Sequence, residues 1–234
     1  MKKIELKAYA KINLGLDVLR KRDDGYHEVK MIMQTVDLYD EIMLEKINED
    51  KIELLTNVEN LETDENNLVY KAIKLIKDKY SLKKGVKATL IKHIPIAAGM
   101  AGGSTDCAAT LKGMNELFEL KICENKLMEM GKSLGADVPY CIKGGTALAE
   151  GIGEKLTSLN KIYGDYVVIA KPKISVSTKY VYENLNLSDT TNHPNIDKLL
   201  IVMSFYYIKS KSYNWFTYSF FISILSKAPK SYTV

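Results

Sequence analysis

The chain has 234 residues, 46% of them hydrophobic and 26% charged, enough for one large or two small globular domains. Its formal net charge of +4 comes from the C-terminal end: residues 201–234 hold four lysines and no acid, which leaves 29 basic and 29 acidic residues before them. A neutral body without a basic, aromatic-laced stripe argues against a nucleic-acid partner, and Met1-Lys2-Lys3-Ile4-Glu5-Leu6-Lys7 lacks the apolar run of an export signal.

Ile4, Leu6, Ala8, Ala10, Ile12, Leu14, Leu16 and Val18 alternate, predicting a strand over residues 4–18. Asp23-Asp24-Gly25 is a turn signal, so this strand returns as a hairpin into Val29–Leu38. Ile42–Lys46 and Lys51–Leu55 read as further short strands. Asn67–Tyr80 is the first clear helix, with Leu68, Ala72, Leu75 and Ile76 on one face and Asp64 or Asn66 near its cap. Val86–Ile91 alternates again, and Pro95 closes that strand. A second helix runs to about Phe118, capped by Ser104 or Thr105, with Cys107, Leu111, Met114 and Phe118 at helical spacing. Glu124–Leu134 is a third helix, with Gly135 in the left-handed position that ends it. Ala147-Leu148-Ala149 and Tyr166–Ala170 read as strands around the turn-rich Gly151-Ile152-Gly153, and Val176–Leu185 as a helix. Strands and helices mix without strict βαβ alternation, which favours an α+β fold, with the domain boundary at Asn160–Asp165.

Residues 201–234 differ from the rest. They hold four of the five phenylalanines, the only tryptophan and five tyrosines, but no Asp, Glu or Gly. Ser212–Ser226 is uncharged, yet too short and hydroxyl-rich for a membrane span. A membrane-surface tail is one reading. A frameshift or truncation, giving sequence never selected to fold, is the favoured one.

Cys107, Cys123 and Cys141 are too far apart for a metal pair and read as reduced thiols, and His27, His93 and His193 form no ligand cluster. These features place the chain in the cytoplasm without a metal cage. Chemistry points instead to Pro95-Ile96-Ala97-Ala98-Gly99-Met100-Ala101-Gly102-Gly103-Ser104-Thr105, a glycine- and alanine-rich turn before a helix. Successive N–H groups in such a turn, with the positive end of a helix behind them, suit a phosphate. It is neither G-x-x-x-x-G-K-[ST] nor G-x-G-x-x-G, and a purely structural turn fits about as well.

Three further segments carry more polar specificity than a core needs. Lys11 and Asn13 share one face of the first strand; a solvated face is the plain alternative. Tyr26 and His27 follow the hairpin turn, offering a ring to stack on and a hydrogen bond for a heterocycle, or simply an exposed turn. Asp137, between Gly135 and Pro139, reads as a helix cap first and a base second. Together they suit phosphoryl transfer: the turn holds phosphates, Asp137 takes a hydroxyl proton, and Lys11 favours the ionised acid and screens the transferring group.

The loop resembles the ATP-binding motif of the GHMP small-molecule kinases, roughly P-x-x-x-G-x-x-G-S-S/T, with Gly102-Gly103-Ser104-Thr105 at its end. Ala8–Leu14 with Arg22–Glu28, and Leu134–Pro139 followed by Ala149–Glu154, are similar to the members that phosphorylate a diphosphocytidyl alcohol in non-mevalonate isoprenoid synthesis. The resemblance implies Mg-ATP as donor and the small-molecule substrate's 2-hydroxyl as acceptor, with no dedicated carboxylate cage for the metal. It implies Asp137 as base and Lys11 as its partner. Asn13, Tyr26 and His27 would contact substrate, the last two at the cytosine, with Tyr182 as a second aromatic there. Pro95–Thr105 would wrap the ATP phosphates. It also implies a ribosomal-protein-like N-terminal domain over residues 1–160 and part of a ferredoxin-like domain over 161–200. The family's second glycine-rich segment does not follow residue 200. An impaired nucleotide-binding module, or another GHMP kinase acting on a simpler alcohol, are the alternatives. Gly25-Tyr26-His27 speaks against the latter, since only a nucleobase needs a stacking surface.

Overall fold

The computed structural model describes residues 2–160, 166–171, 178–185, 187 and 193–203. The first two strands form one long antiparallel hairpin, β1 (Lys3–Lys21) and β2 (His27–Ile47). Its turn has Gly25 at φ 84°, and the Asp24 carboxylate accepts the Tyr26 N–H at 3.1 Å. The two strands expected at Val29–Leu38 and Ile42–Lys46 are therefore one. Asp40, between them, is wholly buried inside β2, where its carboxylate accepts the His93 and Ile94 N–H groups.

β3 (Ile52–Thr56), α1 (Leu68–Lys79) and β4 (Gly85–Ile91) make a crossover unit in which β3 and β4 are parallel; the remaining pairings are antiparallel. Asn67, rather than Asp64 or Asn66, caps α1, its side chain accepting from the Val69 N–H at 2.8 Å. The sheet order is β3-β4-β2-β5-β6, with β1 along β2, β5 at Thr146–Gly151 and β6 at Lys155–Ser158. The fold is α+β.

α2 (Gly102–Leu117), α3 (Glu124–Lys132) and α4 (Val138–Lys143) complete the main body with α1. Ala72, Ile73 and Ile76 of α1 and Leu111 and Met114 of α2 pack on Ile42, Leu44, Val86, Ala88 and Leu90 of the sheet. Gly113 permits this contact, since a Cβ there would stand 2.7 Å from Leu44 Cδ1 and 2.8 Å from Leu6 Cδ1. α3 stops at Lys132, and Gly135 is not among the positive-φ residues. Its reason is space: a Cβ would lie 3.3 Å from Val138 Cγ2.

Residues 166–171 join no described strand, contrary to the alternation, and Tyr166 and Val168 are strongly exposed. α5 (Thr178–Glu183) lies inside the expected Val176–Leu185. Residues 196–203 are helical and rest on β1, with Ile196 buried and Lys30 paired to Asp197 at 2.7 Å. The aromatic tail beyond residue 203, and most of the expected boundary at Asn160–Asp165, lie outside the described residues. Among those described, no helix is long and apolar enough to cross a membrane.

Candidate active site

Lys11 is the centre of the polar cluster. The hairpin shifts register between Tyr9 and Lys11 and again between Asn13 and Gly15. These irregularities break the plain alternation, so Ala10, Lys11 and Ile12 are all buried, Lys11 at 5% exposure. It is not on a solvated face. Its Nζ donates to Asn13 Oδ1 at 3.2 Å and lies 3.5 Å from Asp137 Oδ2. Its backbone N–H donates to the Met100 carbonyl at 3.1 Å, which ties the glycine-rich loop to the same residue.

Asp137 occupies the N-cap position of α4, but its side chain caps nothing. It faces Lys11 instead and remains a third exposed, so a ligand can reach it. α4 itself eludes sequence reading, being six residues long with Pro139 near its start. Its Tyr140 anchors it, donating to the Gly145 carbonyl at 2.6 Å and meeting Thr35 Oγ1 at 3.1 Å.

Within Pro95–Thr105, Ala97, Gly99 and Ala101 have φ of 54°, 69° and 57°. A left-handed alanine costs roughly 1–2 kcal/mol, so two of them mark a conformation imposed by surrounding contacts. Met100 supplies the anchor, buried against Ala10, Ile12 and Ile94. α2 begins at Gly102, ahead of the expected caps, and no side chain caps it. The first N–H groups of a helix lack intrahelical partners and favour anions. Thr105 does not cap; its hydroxyl donates to the Tyr9 carbonyl at 2.6 Å, fixing the helix to β1. Ser104 Oγ lies 3.8 Å from where a Cβ on Gly135 would stand, bringing the loop's end beside the segment that carries Asp137.

At the far end of β1, Tyr26 is 59% exposed and His27 stacks on Tyr182 of α5, with ring centroids 5.2 Å apart. Burial, then the Asp137 charge, push the Tyr182 phenol up. The structure thus brings Lys11, Asn13 and Asp137 together with the loop beside them, and separately pairs His27 with Tyr182.

Sequence reasoning misses a second charged group below the loop. Lys92 Nζ bridges the Asp40 carboxylate and Asp106 Oδ2, the latter at 2.6 Å, with all three side chains at least nine-tenths buried. Burial pushes the Asp106 carboxyl up to about 7 despite Lys92. No local pattern distinguishes such a lysine from a solvated one. Among the described residues no three or more His, Cys, Asp or Glu side chains group as a metal site.

Comparison with known proteins gives a consistent result. The model for the GHMP kinases N terminal domain matches residues 67–145. The chain is 56% identical over 198 residues to 4-diphosphocytidyl-2-C-methyl-D-erythritol kinase of Caldicellulosiruptor saccharolyticus, covering 85% of this chain and 68% of that one. It is 56% identical over 200 residues to the same kinase of Lachnospira eligens, covering 86% and 69%. A crystal structure of 4-(cytidine 5'-diphospho)-2C-methyl-D-erythritol kinase superposes with a TM-score of 0.69 at 29% identity, covering 86% of this chain and 71% of that one. Homoserine kinase from Cytophaga hutchinsonii, at 20% identity and TM-score 0.54 over 78% and 63% of the two chains, shares the fold alone.

Proposed function

The chain belongs to the 4-diphosphocytidyl-2-C-methyl-D-erythritol kinases of the GHMP kinase family, and from that premise we propose how its residues divide the reaction. It phosphorylates 4-diphosphocytidyl-2-C-methyl-D-erythritol in isoprenoid synthesis; the 2-hydroxyl is our assigned acceptor and Mg-ATP the assigned donor.

In this reading Asp137 takes the 2-hydroxyl proton as that oxygen attacks the γ-phosphorus. The new O–P bond forms as the bond to the β-phosphate oxygen breaks, and ADP leaves with those electrons. The Lys11 ammonium favours the carboxylate form of Asp137 and offsets charge on the transferring group. Asn13 holds Lys11 and meets substrate. The N–H groups around Gly102, Gly103 and Ser104 receive the phosphates, and Tyr26, His27 and Tyr182 hold the cytosine. Positioning and electrostatics supply most of the rate in such transfers. The observation that carries this reading is Lys11, whose Nζ lies 3.5 Å from Asp137 while its N–H holds the loop at Met100.

The test is ADP release that requires the diphosphocytidyl substrate. Asp137→Asn is expected to lose about 10²–10⁴ in turnover, the usual worth of a general base, with an unaltered circular dichroism spectrum. ADP release with homoserine or mevalonate in its place overturns the substrate assignment. We further assign residues 1–160 as the nucleotide-binding domain and 161–200 as part of a ferredoxin-like domain, acting on a small molecule in the cytoplasm.

A further inference from the structure

Lys92 leaves β4 just before the glycine-rich loop, Asp40 stands on β2, and Asp106 lies one turn into α2, just after it. Lys92 Nζ is 3.2 Å from where a Cβ on Gly102 would be, so the cluster sits directly beneath the loop's last residues. One ammonium faces two carboxylates, and they are not equivalent. Asp40 is fully engaged, accepting from Lys92 and from the His93 and Ile94 N–H groups. Asp106 accepts from Lys92 through Oδ2 and faces the Asp40 carboxyl, and its buried Oδ1 finds no partner among the described residues. With both acids ionised, one buried negative charge is left uncompensated under a loop shaped for phosphates. A bound polyphosphate repels that charge across a poorly screening interior.

We propose that Asp106 couples nucleotide binding to proton uptake: its carboxyl is protonated when a nucleoside polyphosphate settles on the loop. The proposal rests on the kinase reading above and adds to it a positioning residue outside the reacting groups. The Asp40 carboxylate also faces Asp106 and adds to the repulsion that favours a proton there. Lys92 and Asp40 form the ion pair. Cys107 beside it and Cys141 of α4 are pushed up by burial, so both stay neutral thiols across neutral pH. Asp106 itself, raised to about 7, titrates where the coupling is measurable.

Calorimetric titration of the full chain with ADP in excess magnesium tests this. From about pH 6 to about pH 8 the wild-type dissociation constant should rise about ten-fold, with uptake of about half a proton near pH 7, read from buffers of different ionisation enthalpy. Asp106→Asn mimics the neutral carboxyl, so its affinity should stay level over that range with no uptake. If the wild type binds with no uptake, or the variant keeps the same pH dependence, the proposal is overturned while the kinase reading stands. Absence of nucleotide binding at every pH overturns both. Should the variant fail to fold, wild-type uptake alone decides.

Discussion

His27 and Tyr182 stack face to face, 5.2 Å between centroids and 29° between planes, although one opens β2 and the other lies on α5. Tyr182 is half-buried against the cluster that holds Val29, Met31 and Met33. A planar heterocycle suits such a ring pair better than an open-chain alcohol. Aromatic stacking on a base is worth about 1–3 kcal/mol, so Tyr182→Leu should raise the KM for the diphosphocytidyl substrate roughly 5- to 150-fold. The KM for ATP should not follow. Steady-state kinetics with each substrate varied separately checks this, and a parallel rise in both would remove Tyr182 from the substrate site.

Much of the candidate site is legible in the sequence because its parts are local. The alternation of residues 4–18 and the turn at Asp23-Asp24-Gly25 give the hairpin, and the glycine-rich turn announces itself by composition. What stays hidden is burial. Lys11 alternates with apolar residues and so looks solvated; only the register shifts on either side of it turn it inward. Asp40, Lys92 and Asp106 carry no local sign of burial, because one lysine serves two acids that lie on other elements. The start of α2 is concealed for another reason. Gly102 and Gly103 are poor helix formers, so the signal falls on Ser104 and Thr105, whereas contacts of the loop decide the first turn. Tyr182 rests on resemblance alone, since no spacing links it to His27.

Asp106 gives the fold an unusual pH response. Its carboxyl is harder to ionise in the native state, raised from 3.8 to about 7, so the native state holds the proton more tightly. That contribution is whole below about pH 4 and is lost as pH climbs through about 7. Asp106→Asn removes it. The melting temperature of the variant, compared with the wild type, should therefore improve between pH 5 and pH 8 by about 5 °C. Thermal melts at several pH values check this, and a constant difference would mean that Asp106 does not titrate there.

Gly85 and Gly103 separate space from sequence identity. A Cβ on Gly85 would stand 2.1 Å from the Glu49 carbonyl and 2.3 Å from that of Lys51, both backbone atoms in the tight connection between β2 and β3. Neither can yield without disturbing the parallel start of β4. Gly85→Ala should cost about 3 kcal/mol or more, beyond the usual range for single substitutions. A Cβ on Gly103 meets only Leu68 Cδ1 at 3.5 Å, ordinary contact, so Gly103→Ala should keep the fold. Denaturant midpoints of the two variants give the comparison. Equal losses would show that the backbone at Gly85 is freer than its contacts indicate.

Lys11 sets activity against stability. Burying an ammonium at 5% exposure is costly, and Asn13 with a part-exposed Asp137 compensates it incompletely. Methionine matches its length without the charge and fits beside Ala10, Ile12 and Met100. Lys11→Met should therefore melt close to the wild type: removing one partner of an ion pair is costly when the other stays buried, but Asp137 is a third exposed and keeps water. Its turnover should fall by about 10²–10³, the loss expected when one charge-stabilising group leaves a transition state. The backbone N–H that holds Met100 is unaffected by the substitution, so the loop stays attached to β1. Melting curves and ADP release measured on the same preparation decide the matter. Retained turnover would remove Lys11 from the chemistry, and a collapse in stability would make it a structural ion.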